Sequence, residues 1–410
     1  MNSTQLFEQT LSLNEPWHVD HLEFTQNNID SRKELHIYLN FTRGAKFTDA
    51  HGQLCSVHDT VERKWQHLDF FQHRCILHAR VPRIKTSTGE IKRVEVSWAR
   101  PNSGFTLLFE AFAMGLIESE MPVNKVAATL SVHAHSVWLV FHHWVDKAFA
   151  LVDLTDVSDI GIDETSSKKG HSYVTLSVDF DQNRVIFATK GKDQQTIDRL
   201  KLYLKDKGVA AENIKHVCID MSPAFITGIR ENFPEAKLIF DRFHVVKLLN
   251  EAMDEVRKKE RKEHEALKGH KYTFLKNRRK LSNWQKNELN DLIQDYPTLG
   301  EAYRLKEIFN DFWEFKDPEE AMAFLAYWCD LVYESKIKPL MKFANTIKGH
   351  WSGIVNYTKT QMTNGVLEGI NSKIQLAKRR ARGFRNIENF IRMIYFIAGK
   401  LPPVNPLYAV

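Results

Sequence analysis

Three short apolar runs in the middle of the chain each end in an aspartate. They are Ile160-Gly161-Ile162-Asp163, Val217-Cys218-Ile219-Asp220 and Leu238-Ile239-Phe240-Asp241. Runs of this length between polar residues read as buried strands. Tyr173–Val178 and Val185–Thr189 alternate and flank Asp179-Phe180-Asp181-Gln182-Asn183, a β-hairpin signature. Asp193 can cap a helix carrying Ile197, Leu200 and Leu204, with Gly208 past its end, and Pro223–Phe233 reads as a second helix. From His244 to Trp351 the pattern is helical almost throughout. A charged helix covers Val245 to about Glu265, Ser282 caps another, and a third opens at Asp317-Pro318-Glu319-Glu320. Phe324, Tyr327, Trp328 and Tyr333 are expected in the core of this helical stretch. Glu368 opens a further helix with Leu367, Ile370 and Ile374 on its apolar face; Gly383 ends it, and Asn386 caps the last helix.

The first hundred residues read as short strands: alternation over 17–45, then His67–Phe71, Cys75–Val81 and Ile91–Val96. His51, Cys55, His58 and Cys75 are zinc-ligand types, but their spacing forms no C-x-x-C knuckle. The expectation is a small β region whose His and Cys are simply packed or exposed. Pro101-Asn102-Ser103-Gly104 is a break. A helix is expected over Phe105–Ile117. Val123, Val126, Ala127 and Leu130 then share one helical face. After a short connection, Ser136 is expected to cap a helix on which Val137, Val140, Phe141 and Trp144 repeat that spacing. Two short helices so joined match a helix-turn-helix, whose second helix enters the major groove. Its exposed face would carry His135, His142, His143 and Lys147. The bland alternative is a plain helical hairpin.

Composition adds bounds. The chain has 410 residues, 43% hydrophobic and 11% aromatic, enough for several domains with a core. No apolar run approaches the ~20 residues that span a bilayer, so no membrane partner is expected. The four cysteines are scattered, which points to a reducing cytoplasm. The net charge of +6 is mild, but basic residues concentrate at 257–280 and 373–385, as nucleic-acid binding permits.

The β-β-β-α-β-α-β succession is the ribonuclease-H-like arrangement, an α/β fold in which Asp163 and Asp220 become neighbours. Crowded carboxylates repel, and burying them unpaired is costly. A divalent cation resolves both problems, and Mg²⁺ prefers carboxylate oxygen and water. Two such ions can activate the attacking hydroxyl and stabilise the leaving oxygen of a phosphodiester. The commoner role of an aspartate at a strand end is a cap, and Asp241 is placed to cap the helix that follows it. Glu368, near a helix N-terminus, is also favoured there by the helix dipole.

Ile160–Glu164, Cys218–Ser222, Phe240–Lys247 (Phe-Asp-Arg-Phe-His-Val-Val-Lys) and Thr363–Ile374 (Thr-Asn-Gly-Val-Leu-Glu-Gly-Ile-Asn-Ser-Lys-Ile) resemble the blocks of DDE transposases. They are most similar to the ISL-three family of bacterial insertion sequences, and the likeness covers nearly the whole chain. The resemblance implies that Asp163, Asp220 and Glu368 are a catalytic triad ligating Mg²⁺, with Mn²⁺ as an alternative. Asp241 and His244 would match a supporting D-x-x-H element. It implies cleavage at inverted-repeat ends, strand transfer into target DNA, and a homodimer or larger synaptic assembly. Lys147, Lys373, Lys378, Arg379, Arg380 and Arg382 are the expected DNA contacts. Family members usually carry an N-terminal zinc knuckle. Here Thr48 and His51 stand where its cysteines would fall, and Thr86 and Gly89 where the second pair would, which puts zinc in doubt. The implied division is a degenerate zinc-ribbon-like region (1–102), a helix-turn-helix (103–152), a first catalytic part (153–249), an all-α insertion (250–350) and a closing catalytic part (351–410). A catalytically silent DNA-binding regulator and a nuclease without strand transfer remain competing readings.

Overall fold

The computed structural model describes residues 2–26, 33–167, 172–362, 365–403 and 406. The chain divides into two compact units, with the change at Leu151/Val152.

The first unit opens with α1 (Ser3–Thr10) and then β1 (Trp17–Gln26), β2 (Lys33–Phe41), β3 (Lys46–Thr48), β4 (Leu54–Gln66), β5 (Arg74–Lys85) and β6 (Ile91–Arg93). The strands form one sheet in the order β1-β2-β5-β4-β3, with β6 on β5. Alternation puts Leu35, Ile37 and Leu39 of β2 and Cys75, Leu77 and Ala79 of β5 into one core with Trp65 and Trp98. The strand expected at His67–Phe71 does not form. Phe70 makes only an isolated bridge to His73, and Phe71 turns with φ 53°. The longest strand, β4, was not expected, because charged residues on its open face hide its period.

Three helices follow: α2 (Leu107–Glu118), α3 (Val123–Thr129) and α4 (Ala134–Ala150). Thr106 caps α2 by accepting from the Phe109 N–H. Val123, Val126 and Ala127 of α3 are buried, as are Val137, Val140, Phe141 and Trp144 of α4. The expected cap at Ser136 is corrected: α4 starts three residues earlier than that cap implies, behind His133, so Ser136 lies inside its first turn. Under this layer sits Glu110, fully buried. It accepts from Arg100 Nε at both oxygens (3.0 and 2.9 Å), from Ser103 Oγ at 2.6 Å and from Trp144 Nε1 at 2.6 Å.

The second unit begins with β7 (Asp159–Ser166), β8 (Tyr173–Asp179) and β9 (Arg184–Lys190), then α5 (Gln194–Asp206), β10 (His216–Ile219), α6 (Pro223–Asn232) and β11 (Lys237–Phe240). The sheet order is β11-β10-β7-β8-β9. β7, β8 and β9 are antiparallel neighbours, whereas β10 runs parallel to both β7 and β11. Helices then occupy the chain: α7 (Arg242–Glu263), α8 (Lys271–Leu275), α9 (Asn283–Asp295), α10 (Pro297–Asp311), α11 (Pro318–Glu334), α12 (Lys338–Gly349) and α13 (Trp351–Thr360). The aromatic core expected on α11 is partly corrected. Trp328 is fully buried, but Tyr327 is 60% exposed and Phe324 and Tyr333 are half-buried. The helical period explains this: Leu325, Trp328, Cys329 and Val332 share the inward face, so Tyr327 points away. The chain returns to the sheet with α14 (Gly365–Arg380) and α15 (Ile387–Ala398). Tyr395 of α15 accepts from the Ala188 N–H of β9 at 2.7 Å. Thr363 and Asn364, the first residues of the fourth family-like block, lie outside the described residues.

Candidate active site

The parallel register sets the acids in a row. Cys218 of β10 lies opposite Gly161 of β7, and Ile219 lies opposite Phe240 of β11. Continuing both pairings one residue past β10 and β11 sets Asp220 across from Asp163, midway along β7, with Asp241 on its other side; β7 itself runs on to Ser166 rather than ending at Asp163. Neighbouring strands stand about 4.8 Å apart. The Asp241 N–H donates to the Ile219 carbonyl at 2.9 Å, which continues the ladder to the row itself.

The electrostatics agree with that placement. Burial pushes the Asp163 carboxyl above the ordinary carboxylate range; the Glu164 N–H and His244 oppose the shift, while the charge of Asp220 adds to it. Burial also raises Glu164, with Lys192 opposing and Asp220 and Asp163 adding. His244 is raised chiefly by its hydrogen bond to Asp241 (Nδ1 to Oδ2, 2.9 Å), then by Asp163 and Asp220. Asp241 is therefore both cap and partner: it accepts the Phe243 N–H at 3.2 Å and holds the His244 ring.

Helix α14 lies along β7 as two matched periods. Gly161, Asp163 and Thr165 share one strand face at every second residue, and Leu367, Asn371 and Gln375 share one helix face at every fourth. Asn371 Nδ2 donates to Asp163 Oδ2 at 2.8 Å, and Gln375 Nε2 donates to Thr165 Oγ1 at 2.8 Å. Lys378 Nζ finishes the seam on the Ser166 carbonyl at 2.6 Å. Gly161 is what permits the approach. A β-carbon there would stand 2.7 Å from Leu367 Cδ1 and 2.6 Å from the Phe180 ring.

The expected residues thus sort unevenly. Asp163 in the middle of β7 and Asp220 and Asp241 just past β10 and β11 fall on neighbouring strands, and His244 is held by Asp241. Glu368 is exposed on the first turn of α14, three residues before Asn371. Among the described residues no three His, Cys, Asp or Glu side chains are gathered closely enough to hold a metal ion. Sequence reasoning missed Asn371, although its four-residue spacing from buried Leu367 was visible. It also missed Glu164, whose alternation with Asp163 gave no hint that both would feel Asp220.

Of the expected DNA contacts, Lys373, Arg379, Arg380 and Arg382 are exposed on or just after α14. Lys378 is instead engaged with β7. In the first unit Lys147 is exposed and stands 5.3 Å over the Trp144 ring; His135 is exposed, whereas His142 and His143 are half-buried. The four zinc-ligand types do not assemble. Cys55 packs with Phe47 and Ile84, and Cys75 packs in the main core, where burial pushes its thiol up to about 12. His58 faces Asp59 at 3.5 Å.

Comparison with known proteins adds a frame to this geometry. A family model described as a transposase, the DDE domain of ISL3 elements, matches residues 160–394. A helix-turn-helix domain of transposase family ISL3 matches residues 94–145. A zinc-finger of the transposases of IS204, IS1001, IS1096 and IS1165 matches residues 52–85. The chain is 28% identical over 377 residues to the transposase for insertion sequence element IS1001 of Bordetella parapertussis, covering 89% of this chain and 92% of that one. It is 28% identical over 371 residues to the transposase for element IS1557 of Mycobacterium tuberculosis, covering 83% and 82%. Among the described residues no helix is long and apolar enough to cross a membrane.

Proposed function

The chain belongs to the ISL-three family of insertion-sequence transposases, and from that premise we propose that Asp163, Asp220 and Glu368 are the acidic triad of its DNA cleavage and strand transfer. The observation that carries this reading is the parallel pairing of Cys218 with Gly161, which, continued two residues, would set Asp220 beside Asp163 of the neighbouring strand. The sheet order, three antiparallel strands followed by two parallel ones, supports a ribonuclease-H-like catalytic domain. The helices between residues 250 and 350 would be its all-α insertion, with α13 back on the sheet, where Asn356 Nδ2 donates to the Leu238 carbonyl of β11 at 2.9 Å.

The residues fit a divalent cation. The row offers oxygen donors, its carboxylates repel one another, and burial raises Asp163 further. A bound Mg²⁺, or Mn²⁺ in its place, would supply charge for the phosphate oxygens and acidify an attacking water or 3′-hydroxyl. Asp163 and Asp220 would hold it, and Glu368 would give the third carboxylate from a helix that Asn371 pins to Asp163. His244, kept protonated to higher pH by Asp241, offers a positive N–H toward a phosphate. The α4 face with His135 and Lys147 would read element ends. Lys373, Arg379, Arg380 and Arg382 would neutralise phosphates, so that affinity falls with salt. Lys378 serves the helix–strand seam instead. Two ends must be held together, so a homodimer or larger synaptic complex is expected, working in the cytoplasm.

The test is an assay with DNA carrying the element's ends, Mg²⁺ and a target plasmid. Wild type should nick and join. Asp163→Ala should lose cleavage by about a thousandfold or more while end binding stays within about twofold. Persistent cleavage in that variant would sink the triad. Wild type that binds without nicking would instead be a DNA-binding regulator, and nicking without joining would make it a nuclease.

A further inference from the structure

The two turns of the N-terminal sheet that flank the matched zinc-finger stretch are built alike. In the first, the Asp49 N–H donates to the Gln53 carbonyl (2.9 Å) and the Gly52 N–H to the Asp49 carbonyl (3.0 Å). In the second, the Thr86 N–H donates to the Glu90 carbonyl (2.8 Å) and the Gly89 N–H to the Thr86 carbonyl (2.9 Å). Each glycine takes a positive φ, +79° at Gly52 and +87° at Gly89. Asp49 is thereby equivalent to Thr86, and Gly52 to Gly89. This shifts the second pair of ligand positions by one from the sequence expectation: Thr48 and His51 correspond to Lys85 and Thr88, not to Thr86 and Gly89. A structural zinc site needs four nitrogen or sulfur ligands around the ion. These positions offer one histidine.

What joins the turns is a carboxylate. Asp49 Oδ1 accepts the N–H groups of His51 and Gln53 within its own turn, each at 2.9 Å. Its Oδ2 reaches the other turn and accepts Ser87 N–H at 3.0 Å and Ser87 Oγ at 2.8 Å. The buried Cys55 thiol adds a long contact to the same oxygen at 3.9 Å. A carboxylate has about four acceptor sites, and four N–H or O–H donors fill them. No lone pair is left over for a metal ion, and the charge is compensated by donors from both turns.

We propose that this ribbon is closed by Asp49 in place of zinc, as a metal-free clasp between its two turns. The consequence concerns both ends of the protein. A chelator should strip only the divalent ion of the catalytic row and leave the N-terminal fold intact.

The test uses the full chain expressed with zinc in the medium. Elemental analysis should find well under one zinc per chain, and EDTA should leave the melting curve unchanged. Asp49→Ala should melt lower by roughly 3–6 °C and become sensitive to proteolysis at residues 86–90; Ser87→Ala, which keeps the backbone donor, should fall between. In the Asp49→Ala background, T48C/H51C/K85C/T88C should bind one Co²⁺ with a tetrahedral thiolate spectrum and regain the lost stability. One tightly held zinc per chain, or melting lowered by EDTA, would overturn the proposal. So would an Asp49→Ala chain that melts like wild type, or a four-cysteine chain that binds no cobalt.

Discussion

Glu110 and Asp163 are both carboxylates drawn out of water, and their surroundings treat them oppositely. Glu110, in the first unit, receives four hydrogen bonds from three side chains, one of them the Arg100 guanidinium. Asp163, in the second, receives one from the Glu164 N–H and one from Asn371, and faces the charge of Asp220. The first group is complete as it stands. The second is short of positive charge, and that shortage separates a carboxylate that builds a fold from one that waits for a ligand. Asp49 belongs with Glu110: the Ser87 and Gln53 backbone groups and the Ser87 hydroxyl hold it far below the ordinary carboxylate range.

The contrast can be broken most sharply at Glu110. Glu110→Ala takes this acceptor from Arg100 and the Trp144 indole and leaves Ser103 only the Phe105 carbonyl, so chemical denaturation should show a loss of about 3–5 kcal/mol. A loss under about 1 kcal/mol would mean the cluster is not the staple described. Next comes Asn371→Ala, which frees Asp163 Oδ2 and loosens α14. It should cut end cleavage about 10- to 100-fold and raise the Mg²⁺ needed for half-maximal rate. Gln375→Ala, one turn further along the seam, should do less; equal effects would point to general packing rather than to support of Asp163.

Asp163→Asn removes a charge that its surroundings oppose. In metal-free buffer it should therefore melt higher than wild type, while losing any Mg²⁺-dependent rise in melting temperature. A variant that melts lower would place Asp163 with the satisfied carboxylates. The smallest effect is expected from pH at Asp49. Because its folded carboxyl is depressed, the clasp contributes fully above the unfolded value of about 4 and fades as pH falls below it. The melting gap between wild type and Asp49→Asn should accordingly narrow in acid. A gap independent of pH would show that the carboxylate's charge is not what holds Ser87.

Much of this protein was legible as a string. The apolar runs before Asp163, Asp220 and Asp241, the caps at Asp193, Ser282 and Asn386, and the helix-turn-helix spacing are local matters, although β7 runs three residues past Asp163. Period and capping chemistry operate within a few residues, and a sequence displays them directly. The misses at His67–Phe71, Ser136 and Tyr327 are local too, where a turn, an earlier helix start and the far side of a helical period each won.

Tertiary structure alone decided which distant groups touch. Asn371 meets Asp163 across 208 positions of chain, and nothing periodic spans that distance. Nothing local marks Asp49 or Glu110, because a carboxylate's role depends on donors that only folding delivers. The sequence named the acids; the register of β7, β10 and α14 determined which would be satisfied and which left wanting a cation.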